Sequence, residues 1–317
     1  MPLANHALSD STWLQETARP FIYDQAEGLR RMTQSDSNPN QQNPNHQNQG
    51  RPVRVIAVSS GKGGVGKTNV SVNLAMSLSA SGKKVMIMDA DLGLANIDVL
   101  LGLHPKLNIS HVLSGDYDLS EIIVDAPGGI KIIPAASGIS SMASLNDAEN
   151  AGIINTFSEL QNELDVLIID TAAGIDKSVV SFCRASQEVI VVVCDEPSSI
   201  TDAYALIKVL NKEQGINRFR ILANMAHDMK EGRELFGKIL KVTDRFLDVS
   251  LDFLGAIPFD IYLRKSVKKQ KAVSQAYPRS PSAQAFNMAA QKINKWPMPK
   301  RAGGHLEFFV ERLINSN

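Results

Sequence analysis

The fold is decided by the stretch Val53-Arg-Val-Ile-Ala-Val-Ser-Ser60, followed directly by Gly61-Lys-Gly-Gly-Val-Gly-Lys-Thr68. The first part is a short apolar run typical of a buried strand, and the second fits the phosphate-binding motif G-x-x-x-x-G-K-[ST]. A run with helical periodicity, Asn69–Ser79, follows at once and completes the expected strand–loop–helix context. The sequence therefore predicts that nucleotide phosphates bind between a strand end and a helix start.

The residues of this loop have separate chemical roles. Glycines let backbone N–H groups converge on the phosphates, and the helix start adds partial positive charge. We expect Lys67 to bridge the β- and γ-phosphates and the Thr68 hydroxyl to bind Mg²⁺. The predicted phosphate-binding residues are Gly61, Lys62, Gly63, Gly64, Val65, Gly66, Lys67 and Thr68.

A second lysine, Lys62, stands near the start of the loop. Because Gly63 and Gly64 follow it, Lys62 cannot easily fold back onto its own γ-phosphate, but it can reach the phosphates of a facing subunit. We interpret Lys62 as a catalytic residue that acts across a homodimer formed with ATP. A solvated surface lysine is the alternative.

Two further segments supply carboxylates. Val85-Met-Ile-Met-Asp-Ala-Asp91 ends a strand with Asp89 and Asp91 on the same side. Leu167-Ile-Ile-Asp-Thr-Ala-Ala-Gly174 is a buried strand that delivers Asp170 to a turn of small residues. An unpaired buried charge is costly, so a metal-bound nucleotide is the expected partner of this carboxylate. ATP and Mg²⁺ are therefore the predicted ligands.

The chain from 52 to 296 alternates between two patterns, short β-branched runs and segments of helical periodicity. Runs such as Val189-Ile-Val-Val-Val193 are apolar at every residue, as in strands buried on both faces. The pattern predicts an α/β domain with a doubly wound, mostly parallel sheet between helix layers. The predicted strands are Val53–Ser59, Lys84–Asp89, Ile130–Pro134, Asp165–Asp170, Val189–Cys194, Arg220–Asn224 and Phe253–Ile257.

Two terminal regions flank this domain. Residues 1–32 contain a possible short helix that is suited to fold on a partner. Residues 33–51 are rich in Asn, Gln, Pro and Ser and contain no aliphatic residue, so we expect a disordered tether. Residues 297–317 are predicted to be a linker and a C-terminal amphipathic helix, His305–Asn317.

Composition narrows the class of protein. Lys plus Arg and Asp plus Glu both total 33 in 317 residues, which argues against gripping DNA over the whole surface. The two cysteines, Cys183 and Cys194, lie in apolar stretches without a second cysteine at metal-ligand spacing, which indicates buried structural thiols. The N-terminus lacks the pattern of a signal peptide, and no apolar run is long enough to span a bilayer. We therefore expect a cytoplasmic protein.

The loop Gly61–Thr68 resembles the deviant Walker A motif of the MinD/ParA ATPases. The segment Asp89–Gly102 is similar to the MinD branch, because the Pro and Gln of the ParA pattern D-x-D-P-Q are missing. Cys194–Lys208, Ala223–His227 and His305–Leu313 resemble a narrower family, the flagellar-number regulators called FlhG or FleN.

The resemblance implies roles for individual residues. Asp91 would orient the attacking water, while Asp89 and Asp170 would support hydrated Mg²⁺. Asn224 and Pro258 would contact adenine, and Glu196 would face the nucleotide of the partner subunit.

The resemblance also implies a cellular role, the regulation of flagellar number and placement. The implied partners are a GTPase of the FlhF type, stimulated through Asp24–Arg30, a sigma-54-type flagellar transcription activator and the flagellar C-ring proteins. Residues 305–317 would attach reversibly to the inner membrane as an interfacial amphipathic helix. Packing of this helix on the domain is the alternative.

Two other functions are compatible with parts of the sequence. The basic cluster Arg264–Lys271 could let a ParA-like partitioning ATPase grip DNA, or could contact an acidic partner, but a solvated helix face is the favoured interpretation. Zero net charge and the absent ParA signature oppose DNA partitioning, and no direct contact with nucleic acid is expected. A metabolic nucleotide enzyme would need a site for an acceptor substrate, which the sequence does not indicate.

Overall fold

The computed structural model describes residues 52–91, 96–113, 116–134, 164–297 and Val310. The chain divides into two compact units, 1–49 and 50–317, and every described residue belongs to the second. The predicted N-terminal element and tether lie outside the described residues, as does the C-terminal segment apart from Val310. The domain boundaries proposed from composition therefore stay predictions.

The described helices and strands alternate along the chain. In order they are β1 Arg54–Ser60, α1 Lys67–Ala80, β2 Val85–Ala90, α2 Ile97–Leu101, α3 Ile109–Leu113, α4 Leu119–Ile122, β3 Val124–Ala126, β4 Ile130–Ile133, β5 Val166–Ala173, α5 Lys177–Ala185, β6 Glu188–Val193, α6 Pro197–Gln214, β7 Arg218–Ala226, α7 Met229–Phe246, β8 Ser250–Pro258, α8 Ile261–Lys268, α9 Val273–Ala276 and α10 Pro281–Asn294.

These strands form one eight-stranded sheet in the order β3-β4-β2-β5-β1-β6-β7-β8. All neighbours pair in parallel except β3 and β4, which pair antiparallel at one edge. All seven predicted strands are present, so the prediction of a doubly wound, mostly parallel sheet is confirmed. Strand β3 was not predicted, because three residues are too few to show an alternating pattern.

The sheet is covered on both faces, which explains its continuous apolar strands. Ile168 of β5 packs in a core shared with α1 and α10, whereas its neighbour Ile169 packs on the opposite face with Phe182 of α5. Successive strand residues point to opposite faces, so both must be apolar when both faces are buried. The helices thus hold the strands in a rigid frame whose carboxyl ends meet along one edge.

The two cysteines are free and buried, as the sequence predicts. Burial raises the pKa of the Cys183 thiol to about 12 and that of Cys194 to about 11. Both side chains therefore behave as packing groups rather than as nucleophiles or metal ligands.

Within the described ranges, the structure contains no helix that is long and apolar enough to cross a membrane.

Candidate active site

A cleft of about 680 Å³ lies at the carboxyl ends of the parallel strands. This edge is where doubly wound sheets bind their ligands. The cleft brings the predicted loop together with Asp91, and it is lined by Ser60, Lys62, Gly63, Gly64, Val65, Gly66, Lys67, Thr68, Asn69, Asp91, Asn96, Val99, Leu100, Ala173, Met225, Val267 and Gln270.

The loop between β1 and α1 has the backbone geometry of an anion site. Gly64 and Gly66 adopt φ values of 82° and 85°, which side chains with a Cβ rarely accept. Gly66 is the N-cap of α1, and Lys67 begins the helix with a buried side chain. Gly61 serves packing, since a Cβ there would lie 2.1 Å from the backbone of Asp202 in α6.

Asp89 and Asp170 are neighbours in register on adjacent strands. Burial raises the pKa of Asp89 to about 7, and the negative charge of Asp170 adds to the shift. Burial also raises the pKa of Asp170, against the opposing effects of the Lys67 charge and of hydrogen bonds from Thr68 and Ser71. Because the two buried carboxyl groups lie side by side, a nearby cation would stabilise their ionised forms.

A buried oxygen of Asp170 that lacks a hydrogen-bond donor among the described residues indicates that the site fits Mg²⁺. Its Oδ1 accepts a hydrogen bond of 2.8 Å from the Ser71 hydroxyl, whereas its buried Oδ2 has no hydrogen-bond partner among the described residues. A buried oxygen without a donor is costly unless a cation or its water occupies the space. Thr68 and the carboxylates provide the hard oxygen ligands that Mg²⁺ prefers, with waters and phosphates completing its shell.

The Asp89 carboxylate also accepts backbone N–H groups from three residues that follow it in the chain. Its Oδ1 accepts the backbone N–H of Asp91 at 3.1 Å, and its Oδ2 accepts those of Asn96 and Ile97 at 3.2 and 3.3 Å. Asp91 is half-buried and lines the cleft. The structure therefore places Asp91 beside the phosphate loop, in a position suited to orient a water molecule.

Lys62 and Glu196 contact each other in this chain. Lys62 Nζ lies 2.8 Å from Glu196 Oε2 and 2.9 Å from the hydroxyl oxygen of Ser198, at the start of α6. The ion pair is solvent-exposed, with 38% of the Lys62 side chain accessible. Both residues were predicted to face a partner's nucleotide. In the single chain they form an ion pair with each other instead.

A second pocket, of about 310 Å³, adjoins the phosphate cleft. Asn224 and Pro258 line it, as expected for adenine contacts, and Gly66, Asn69 and Met225 line both cavities. The Asn224 side-chain N–H donates to the backbone oxygen of Val65 at 2.7 Å. This bond occupies one N–H of the Asn224 side-chain amide, whose carbonyl oxygen can accept a further hydrogen bond.

Comparison with known proteins agrees with this geometry. Residues 52–294 match the ParA family, described as NUBPL iron-transfer P-loop NTPases. The chain belongs to the ParA/MinD family of P-loop ATPases. It is therefore an ATP hydrolase that uses ATP with Mg²⁺.

Three members of this family are informative relatives. The antiactivator FleN of Pseudomonas aeruginosa is 60% identical over 263 residues, 83% of this chain and 94% of FleN. The flagellum site-determining protein YlxH of Helicobacter pylori is 37% identical over 75% of this chain and 80% of YlxH. The septum site-determining protein MinD of Pyrococcus horikoshii, solved with Mg-ADP, superposes with a TM-score of 0.60 at 28% identity, covering 77% of this chain and 96% of MinD.

Several residues of the ATPase site were not predicted from the sequence. Ser71 donates to Asp170, and its place one helical turn after Lys67 was a usable signal. Asn69 lines both cavities, and its buried side-chain oxygen has no hydrogen-bond partner among the described residues. Met225 and Gln270 enter the cleft through tertiary packing, which no local pattern indicates.

Proposed function

We propose that this chain is an ATP-driven dimerising switch that regulates the number and placement of flagella. The similarity to an antiactivator and to a flagellum site-determining protein supports the flagellar role. The position of Lys62 at the exposed mouth of the cleft carries the proposal of dimerisation, because a facing subunit can meet the lysine there.

The proposed mechanism divides the work among a few side chains. Lys67 and the loop N–H groups bind the phosphates, and Asp91 holds a water molecule for attack on the γ-phosphate. Bound Mg²⁺ would neutralise charge that develops on the phosphate oxygens. Lys62 leaves Glu196 and donates to the phosphate of the partner's nucleotide, so hydrolysis requires the dimer. Glu196, released from Lys62, then faces the nucleotide of the partner.

The dimer would act through other proteins and the membrane. We propose the partners that the family resemblance implies: a GTPase of the FlhF type at Asp24–Arg30, a sigma-54-type transcription activator and the C-ring proteins. Residues 305–317 would attach the cytoplasmic protein reversibly to the inner membrane.

Light scattering on three variants tests the dimer. Asp91→Ala should bind ATP without hydrolysing it and should double its mass in Mg-ATP but not in Mg-ADP. Lys67→Ala should lose ATP binding, whereas Lys62→Ala should keep most of the ATP affinity and stay monomeric. Lys238→Ala is a matched control, since Lys238 forms a similar exposed ion pair with Asp195 at 2.7 Å. A monomeric Asp91→Ala variant in Mg-ATP would reject the proposal.

DNA partitioning is the second candidate, and one observation favours it. The basic side chains of Arg264–Lys271 are exposed on and just after α8. Duplex DNA binding that weakens steeply with added salt would support this function, because phosphate contacts release counterions. We expect no such binding at physiological ionic strength.

A further inference from the structure

Two residues other than glycine adopt left-handed backbone conformations in the described part of the chain. They are Met225, with φ 56°, and Gln270, with φ 52°, and both line the nucleotide cleft. A residue with a Cβ is disfavoured in this region, and such conformations persist where surrounding contacts hold them, often at functional sites. Gln270 is held by contacts to a helix that is distant in the sequence.

The side chain of Gln270 lies across the end of α2. Its Nε2 donates a hydrogen bond of 3.1 Å to the backbone oxygen of Val99. The same oxygen accepts only a long bond of 3.4 Å from the N–H of Gly102. Gly102 lets the side chain approach, because a Cβ at Gly102 would lie 3.2 Å from Gln270 Oε1 and 3.3 Å from Gln270 Cβ. The amide of Gln270 is thus the closer donor to the last turn of α2.

The opposite end of α2 is bound to the proposed metal site. Asp89 accepts the backbone N–H groups of Asn96 and Ile97, which begin the helix. A helix of five residues is unstable in isolation, so its position depends on what holds its two ends. The N-terminal end of α2 is held by the Asp89 carboxylate, and its C-terminal end by the Gln270 amide.

We propose that Gln270 is a positioning residue for ATP hydrolysis: its amide holds α2, whose start shares the Asp89 carboxylate with the backbone N–H of Asp91, and so keeps Asp91 in the cleft. The proposal rests on the catalytic role proposed above for Asp91. The hydrogen bond to Val99 is one of the contacts that can hold the disfavoured backbone at position 270.

Two substitutions separate positioning from general stability. Gln270→Glu keeps the length of the side chain but replaces the N–H donor with a second acceptor. Gln270→Gly removes the side chain and accepts the positive φ without a Cβ. We expect kcat to fall about fivefold in both, as for the loss of one net hydrogen bond, with the ATP dissociation constant changed less than about twofold. The melting temperature of Gln270→Gly should stay equal or rise, so turnover and stability would move independently.

Hydrogen exchange in the nucleotide-free protein gives a second readout. Amides of residues 96–103 should exchange faster in Gln270→Glu and in Gln270→Gly than in the wild type. Gln284→Glu is the matched control, since Gln284 also donates to a backbone oxygen, that of Arg279 at 3.2 Å, outside the cleft. Its kcat and its exchange at 96–103 should match the wild type.

The outcomes distinguish this inference from the proposed function. Wild-type kcat in Gln270→Glu would overturn the positioning role, and so would unchanged exchange at residues 96–103. An ATP dissociation constant raised in proportion to the loss of kcat would also overturn it, because Gln270 would then be a nucleotide ligand. Wild-type kcat in Asp91→Ala would instead reject the catalytic role of Asp91, while the exchange experiment would still decide whether Gln270 holds α2.

Discussion

At the scale of single residues, Asp89 and Asp170 are two buried carboxyl groups whose ionised forms are disfavoured by burial. Burial together with the charge of Asp170 raises the pKa of Asp89 to about 7, and burial raises the pKa of Asp170. Unfolding returns such carboxyls to ordinary pKa values near 4. Between pH 4 and 7 the folded chain therefore binds protons that the unfolded chain releases, and its stability falls as the pH rises.

The fall in stability with rising pH should be measurable in the protein without nucleotide. In EDTA, the melting temperature should fall between pH 5 and pH 7.5, with Asp89 contributing at most about 1.4 kcal/mol per pH unit. Asp89→Asn should flatten this dependence, whereas Asp125→Asn, at an exposed position on β3, should leave it unchanged. Mg-ATP should restore stability most at the higher pH, because it binds the ionised carboxylates. A melting temperature that rises across this range would contradict the assignment.

Some residues of the nucleotide site can be predicted from the sequence, and others cannot. Lys67 and Thr68 follow from a motif whose spacing is set by the phosphate loop itself, and Asp170 from a buried strand that ends in a charge. The pairing of Lys62 with Glu196 joins positions 134 residues apart, so no local pattern contains it. Gln270 could not be predicted for the same reason, since the oxygen that its side chain contacts belongs to Val99, 171 residues earlier in the chain.

At the scale of elements, Arg54 of β1 holds the C-terminal end of α10. The guanidinium of Arg54 in β1 donates to the backbone oxygens of Ile293, Trp296 and Pro297, and it lies 5.8 Å from the centre of the Trp296 ring. Its burial lowers the pKa of Arg54. Ile293 lies in the last turn of α10, whose carbonyls lack partners within the helix, and Trp296 and Pro297 follow the helix. The arginine fork therefore ties the helix end and the residues after it to β1.

Arg54→Met should therefore destabilise the fold without changing the site. Losing donors to three carbonyls in a buried setting should cost about 2–4 kcal/mol, measured by urea unfolding of the full chain. Arg54→Lys should recover only part, because an ammonium cannot reproduce the planar fork. Arg218→Met, which removes an exposed ion pair with Asp252, should cost less than about 1 kcal/mol. Equal costs for the Arg54 and Arg218 variants would show that the helix end is held by other contacts.

The elements themselves were largely predictable, because strands buried on both faces produce long apolar runs. Strand β3 was missed, since its residues Val124–Ala126 are partly exposed and too short for a pattern. The sequence also did not reveal that α2 would be only five residues long, because the contacts at its two ends involve residues outside the helix, Asp89 and Gln270.

At the scale of the whole molecule, the proposed membrane attachment of residues 305–317 would compete with a contact inside the domain. Val310 is the described residue of 305–317, and it is fully buried in the apolar cluster that contains Ile109 and Phe182. This contact favours packing on the domain in the single chain. Attachment to lipid would have to displace it, so a single copy should bind a membrane weakly.

Dimerisation would strengthen membrane binding, because two copies of the C-terminal segment would bind the same membrane. Each large apolar side chain is worth about 1.5–3 kcal/mol when fully buried, but the ordering of the helix and its release from the domain oppose this gain. Two copies on one ATP-bound dimer bind with a high effective concentration, which can raise avidity about 10²–10⁴-fold. We therefore expect the wild type to co-sediment with anionic vesicles in Mg-ATP but not in Mg-ADP.

Two variants separate the helix from the dimer in this experiment. Phe309→Glu/Leu313→Glu should still dimerise in Mg-ATP but should stay in the supernatant, because charges replace two apolar side chains of the predicted amphipathic helix. Lys62→Ala keeps the helix but should remain monomeric, so it should also fail to sediment. If Lys62→Ala sediments as the wild type does, one helix is sufficient and avidity is not the cause. If the double variant sediments in Mg-ATP, another surface of the molecule meets the lipid, and the segment containing Val310 is a structural part of the domain.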